Sequence, residues 1–167
     1  MLKEIAIIYL VMLLSNSCID QSNEKAFIAK YGLEDFSQFK DIDMTFRGSD
    51  KQGNFIVFGY APSLINTSGA GYYIITLDSK SYQIIETGLM RAEDYVNADM
   101  IKLHQLAQTF MRYKIPRLNV DAQGSVFIYL ENAEALALVR FANESELLKR
   151  SKEMKWIKIK DNWYKPN

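Results

Sequence analysis

The chain has one cysteine, one histidine, three prolines and no excess of charge of either sign among its 167 residues. One cysteine excludes an intrachain disulfide, so the fold has to stand on its core. A zinc site built from histidine and cysteine wants three or four ligands and has no material here. Twenty basic residues balance twenty acidic ones. A nucleic-acid binder shows a basic excess or stripe, so no nucleic-acid partner is expected. The longest apolar run, residues 5–14 (IAIIYLVMLL), is ten residues, half of the roughly 20 needed to cross a bilayer. Also lacking are a glycine-rich phosphate loop, a Gly-x-Ser-x-Gly elbow and a dinucleotide fingerprint, and no cofactor is expected. Asp41, Asp43 and Asp50 do not have the spacing of a calcium loop, and no metal is expected.

What is there begins with that short apolar run. It follows Lys3 and Glu4, and it ends in the small, polar Ser15-Asn16-Ser17 just before Cys18. A charged start, an apolar stretch of roughly 7–15 residues and a small-residue cut site make a secretory signal over residues 1–17. Leu14-Ser15-Asn16-Ser17-Cys18 resembles the lipobox of bacterial lipoproteins, of the looser kind found in Bacteroidota. Ser17 matches the small residue ahead of the cysteine. Ser15 stands where leucine is usual, with the leucine one place earlier, and Glu4 departs from a positive start. The resemblance implies acylation of Cys18 and a membrane-anchored protein of the cell envelope, in the outer membrane or facing the periplasm. Ser15-x-Ser17 also satisfies the rule for ordinary signal cleavage, which would release the protein unanchored. Residues 18–23 then read as a tether and residues 24–167 as one globular domain. A domain of that size buries about 70% of its unfolded surface without staples.

Within it, periodicity predicts an α+β fold: one largely antiparallel sheet of seven to nine strands, a central helix on one face, and short flanking helices. Ile42, Met44 and Phe46 alternate with Asp43, Thr45 and Arg47, as in a half-buried strand. Residues 55–60 are apolar on both sides, which predicts a strand that is central in the sheet or covered by a helix. Residues 72–77 and 82–86 flank Asp78-Ser79-Lys80-Ser81, a hairpin pattern. Met100, Leu103, Leu106, Ala107 and Phe110 form the stripe of a helix over 98–113 that Asn97 or Asp99 would cap. Strands are expected at 118–121, 126–130 and 136–141, a short helix from Asn143-x-x-Glu146 that carries Leu147, Leu148 and Met154, and a last hairpin at 156–160 and 163–165. Asp50-Lys51-Gln52-Gly53 and Asp121-Ala122-Gln123-Gly124 echo each other, which reads as two similar turns reached independently.

No catalytic residue stands out. His104 falls at the edge of the helix stripe, the place of a boundary histidine. Glu93, Asp94 and Asp99 suit a helix N-terminus without any chemistry. Aromatics are the one surplus. Tyr72 and Tyr73 must face opposite sides of their strand, as must Trp163 and Tyr164, so one of each pair is open to solvent if one sheet face is bare. Tyr72, Tyr73, Trp156, Trp163 and Tyr164 are therefore the candidate binding surface, for an envelope protein or a glycan. The function expected is a non-catalytic binding or assembly module. The alternative is an envelope hydrolase that works with a pair of carboxylates.

Overall fold

The computed structural model describes residues 23–61, 71–89 and 99–167. Cys18, the signal region, Glu93 and Asp94 lie outside these residues. Helix α1 (Asn23–Tyr31) and a 3₁₀ turn (Ser37–Phe39) lead into β1 (Ile42–Ser49), β2 (Phe55–Tyr60), β3 (Tyr72–Leu77) and β4 (Ile84–Leu89). Helix α2 (Met100–Tyr113) follows, then β5 (Arg117–Val120), β6 (Val126–Tyr129) and β7 (Leu136–Arg140). Helix α3 (Glu144–Arg150), β8 (Trp156–Lys160) and β9 (Trp163–Pro166) complete the chain. All nine strands join one antiparallel sheet in the order β4-β3-β2-β1-β5-β6-β7-β9-β8. The predicted α+β class is what the chain adopts, although α2 holds no obviously central place among the helices.

The middle of the sheet explains the sequence echo. β1 and β5 lie side by side and antiparallel, and each meanders outward through the same turn. Asp50 and Asp121 each accept backbone N–H bonds on Oδ1, from Gln52 and Asn54 in one turn and from Gln123 and Ser125 in the other. Gly53 (φ 86°) and Gly124 (φ 93°) supply the left-handed residue that closes each turn. The two turns thus sit at related places about a local two-fold between β1 and β5. The halves differ by a bulge in β1 between Phe46 and Ser49.

One sheet face carries the main core. Ile42, Met44, Val57, Tyr73, Ile75, Leu77, Leu118, Val120, Ile128, Leu138 and Trp163 pack there against Phe27 of α1, Phe36 and Phe39 around the 3₁₀ turn, and Leu103, Leu106 and Phe110 of α2. The cap of α2 is Asp99, whose side chain accepts from the Lys102 N–H at 3.0 Å. Trp163 ties the last hairpin to the turn that follows α1. Its Nε1 donates to the Gly32 carbonyl at 3.1 Å, and Arg140 stacks over both Trp163 and Phe36. Burial lowers the pKa of Arg140, and Asp35 opposes that only in part. Among the described residues, the second face is covered at one end alone. There α3, capped by Asn143 accepting from Glu146 N–H at 3.0 Å, packs over Phe127, Val139 and Phe141 with Leu147, Trp156 and Tyr164.

As its apolar run predicts, β2 lies inside the sheet between β3 and β1, with Leu103 of α2 against Gly59, while Phe58 and Tyr60 point to the other side. Two expectations need correction. β4 starts at Ile84 rather than Tyr82, since Tyr82 takes a left-handed backbone (φ 57°) and closes the Asp78 turn. The helix after Asn143 ends at Arg150, short of Met154.

Candidate functional site

The part of the second face that α3 leaves bare lies over β3, β2, β1 and β5. Strand register sets its side chains in two transverse rows. One row runs Tyr72, Tyr60, Asp43, Asn119; the other runs Ile74, Phe58, Thr45, Arg117, Tyr129. Period-2 alternation puts Ile42 and Met44 into the core and turns Asp43, Thr45 and Arg47 outward from the same strand. The β1, β2 and β3 part of these rows floors an open cleft of about 550 Å³ lined by Asp43, Thr45, Arg47, Phe58, Tyr60 and Tyr72, with Arg117 and Asn119 beside it as partners of Asp43. That size is ordinary for a binding cleft.

The cleft has an aromatic end and a charged end. Tyr60 and Tyr72 are cross-strand partners whose rings lie 4.8 Å apart and tilted by 35°. Both are well exposed, at 37% and 40%. At the other end Asp43 accepts Nε of Arg117 on both oxygens, at 3.0 and 3.1 Å, and Nη2 of Arg117 as well. Asn119 Nδ2 donates to Asp43 at 3.2 Å, and Thr45 Oγ1 donates to it at 3.4 Å. The Arg117 pKa is raised, chiefly by its hydrogen bonds to Asp43, which outweigh the lowering by burial, with a further rise from the Asp43 charge. Arg117 also stacks over Tyr129, and Arg47 stands 5.0 Å from the centre of the Phe58 ring. The site therefore offers flat aromatic faces, one neutralised ion pair and a further exposed cation.

The residues expected to form a binding surface do not come together. Tyr72 alone reaches the cleft. Tyr73 (0% exposed) and Trp163 (1%) are core residues. They sit on the face that α1, the 3₁₀ turn and α2 cover, so alternation sends them inward. Trp156 and Tyr164 share the cleft's sheet face but are half-buried against Phe141, at 5.1 and 5.5 Å between ring centres, in the cluster under α3. Sequence reasoning missed Tyr60, Asp43, Arg47 and Arg117. The polar half of the β1 alternation, Asp43, Thr45 and Arg47, was the signal for three of the lining residues; Arg117 carried none, because its role depends on the β1–β5 pairing.

His104 lies across the sheet from the cleft. Its Nε2 is 2.8 Å from Thr87 Oγ1 at the sheet margin, and burial lowers its pKa. Among the described residues, Asp43 is the only carboxylate lining the cleft, and no group of three or more His, Cys, Asp or Glu gathers in a way that would hold a metal ion. Among the described residues no helix is long and apolar enough to cross a membrane. No family model, no curated protein and no solved structure matches the chain.

Proposed function

We propose that this protein is a lipoprotein of a bacterial cell envelope that acts as a non-catalytic binding or assembly module, anchored through Cys18 and presenting the bare end of its sheet to a partner. The anchor rests on the signal-like residues 1–17 and the lipobox-like Leu14–Cys18. The reading of the domain rests on one observation: Tyr60 and Tyr72 stand exposed as a pair on a sheet face, beside Arg47 and the Asp43–Arg117 ion pair. Tyrosine and arginine are the residues that concentrate binding energy at interfaces, through large rigid contact area and directional donors. A hydrolase of the two-carboxylate type would bring a second acid across from the first. Here Asp43 is engaged by Arg117, Asn119 and Thr45, which favours recognition over proton transfer.

The test is site-specific photo-crosslinking in the native host. A crosslinking residue at Tyr72 is expected to trap a discrete adduct, and one at Lys149 on exposed α3 is not. Tyr60→Ala is expected to weaken the Tyr72 adduct. Equal trapping at both positions, or an adduct indifferent to Tyr60, overturns the reading of the cleft. For the anchor, Cys18→Ser is expected to abolish acyl labelling and to move the protein from the membrane fraction to the soluble one. A wild-type protein that is soluble and unlabelled overturns that half.

A further inference from the structure

A second cleft lies on the opposite face, where the C-terminal turn of α2 meets the β1–β2 hairpin. It measures about 530 Å³, and its lining includes Phe46, Phe55, Tyr82, Met111 and Ile115, with Lys114 as its one charged side chain among the described residues. The walls are aromatic or aliphatic and Met111 adds an adaptable surface. Phe46 and Phe55 meet edge to face at 5.5 Å, and Phe55 and Tyr82 lie 6.1 Å apart, so three rings line one side.

The backbone adds an independent observation. Among the described residues, Asp41, Tyr82, Lys114 and Asp161 have positive φ without being glycine. Two of these four, Tyr82 (φ 57°) and Lys114 (φ 55°), line this cleft. For a bulky aromatic such as tyrosine a left-handed backbone is uncommon, and such strain collects where side chains must be aimed. Lys114 follows α2 in the left-handed position that glycine ordinarily fills. Arg112 already places a cation in the last turn of α2, so the helix dipole alone does not require lysine there. A lysine held at that point sets one positive charge at an otherwise apolar cleft.

We infer that this cleft binds a long-chain fatty acid, with the carboxylate at Lys114 and the hydrocarbon tail along Phe46, Phe55, Tyr82 and Met111. One cation matches one negative charge, and apolar walls match a tail with no polar group to satisfy. This site is separate from the Tyr60–Tyr72 cleft, on the other face of the sheet, and stands or falls without it.

The experiment uses the full chain with Cys18→Ser, so that no attached acyl chain competes, and ¹³C-labelled methionine methyls. Titration with dodecanoate is expected to shift the Met111 methyl saturably and to leave Met154, exposed beyond α3, unmoved. Lys114→Gly keeps the fold, because glycine is at ease in the left-handed position, and is expected to raise the melting temperature. The same variant is expected to weaken dodecanoate about fivefold while dodecanol binds as before. A silent Met111, parallel shifts at Met111 and Met154, equal effects of Lys114→Gly on dodecanoate and dodecanol, or equally tight binding of dodecyltrimethylammonium would each overturn the proposal.

Discussion

Removing Asp43 tests whether the charged end of the Tyr60–Tyr72 cleft is a built feature or an incidental surface pair. Asp43 takes donors from Arg117, Asn119 and Thr45, and the two ion-pair side chains are 15% and 32% exposed. Unit charges 4 Å apart attract by about 4 kcal/mol at an effective dielectric of 20, before any desolvation. Desolvation and lost side-chain entropy remove most of that, leaving a net coupling of about 1–2 kcal/mol for a partly buried bidentate pair. In Asp43→Ala the guanidinium loses its acceptor but keeps the Ala133 carbonyl at 3.3 Å, the Tyr129 ring and an outlet to water. The single substitution should therefore cost about 2 kcal/mol, below the 3–5 kcal/mol for breaking a fully buried pair. Urea unfolding of Asp43→Ala, Arg117→Met and the double variant gives the coupling directly. Repeating the cycle in 1 M salt should change it little, because screening acts weakly on a pair shielded by the sheet. A coupling under about 0.3 kcal/mol would refute the reasoning, since that is the range of an ordinary exposed pair.

Other perturbations read other parts of the molecule. The lowered pKa of His104, caused by burial, means the unfolded chain binds its proton first. Its contribution is therefore complete above pH 6.5 and is lost as pH falls through the folded value. His104→Gln should flatten the stability–pH curve in that window, checked by urea titrations from pH 7.5 downward. Asp78 has a lowered pKa, first from the Ser81 backbone N–H and then from the Ser81 hydroxyl and Lys80. What it adds to stability is present above pH 3.8 and disappears below it. Asp78→Asn should remove that part of the acid lability, read by circular dichroism. Trp163→Phe, which deletes the bond to Gly32 and trims the packing on Phe27 and Phe36, should cost about 2–3 kcal/mol by chemical denaturation.

Much of the fold was legible because it is written locally. β2 and β3 fall where their runs end. α2 ends at Tyr113 as predicted and takes its cap from Asp99, and Asn143 caps α3. In each case a residue's preference and its neighbours one or two positions away decide the outcome. Tyr82 resisted this because a tyrosine forced to positive φ contradicts its own propensity; the Asp78 turn and the packing on Phe55 override it. The aromatic surface was only partly legible. Alternation shows that Tyr72 and Tyr73 face opposite ways, but not which face the helices will cover.

The sequence by itself determined the α+β class, the strand alternation that gives β1 one apolar and one polar side, and the paired Asp-x-Gln-Gly turns. These follow from backbone geometry and side-chain period, which act over a few residues. Only the tertiary structure decided that β1 and β5 lie side by side, which brings Asp43 to Arg117 across 74 positions of chain. It likewise decided that Trp163 and Tyr73 are core while Tyr60 and Tyr72 are surface. Those outcomes depend on where α1, α2 and α3 come to rest on the sheet. That placement is fixed by burying the most apolar area at once, a sum over residues far apart in sequence that no local pattern contains.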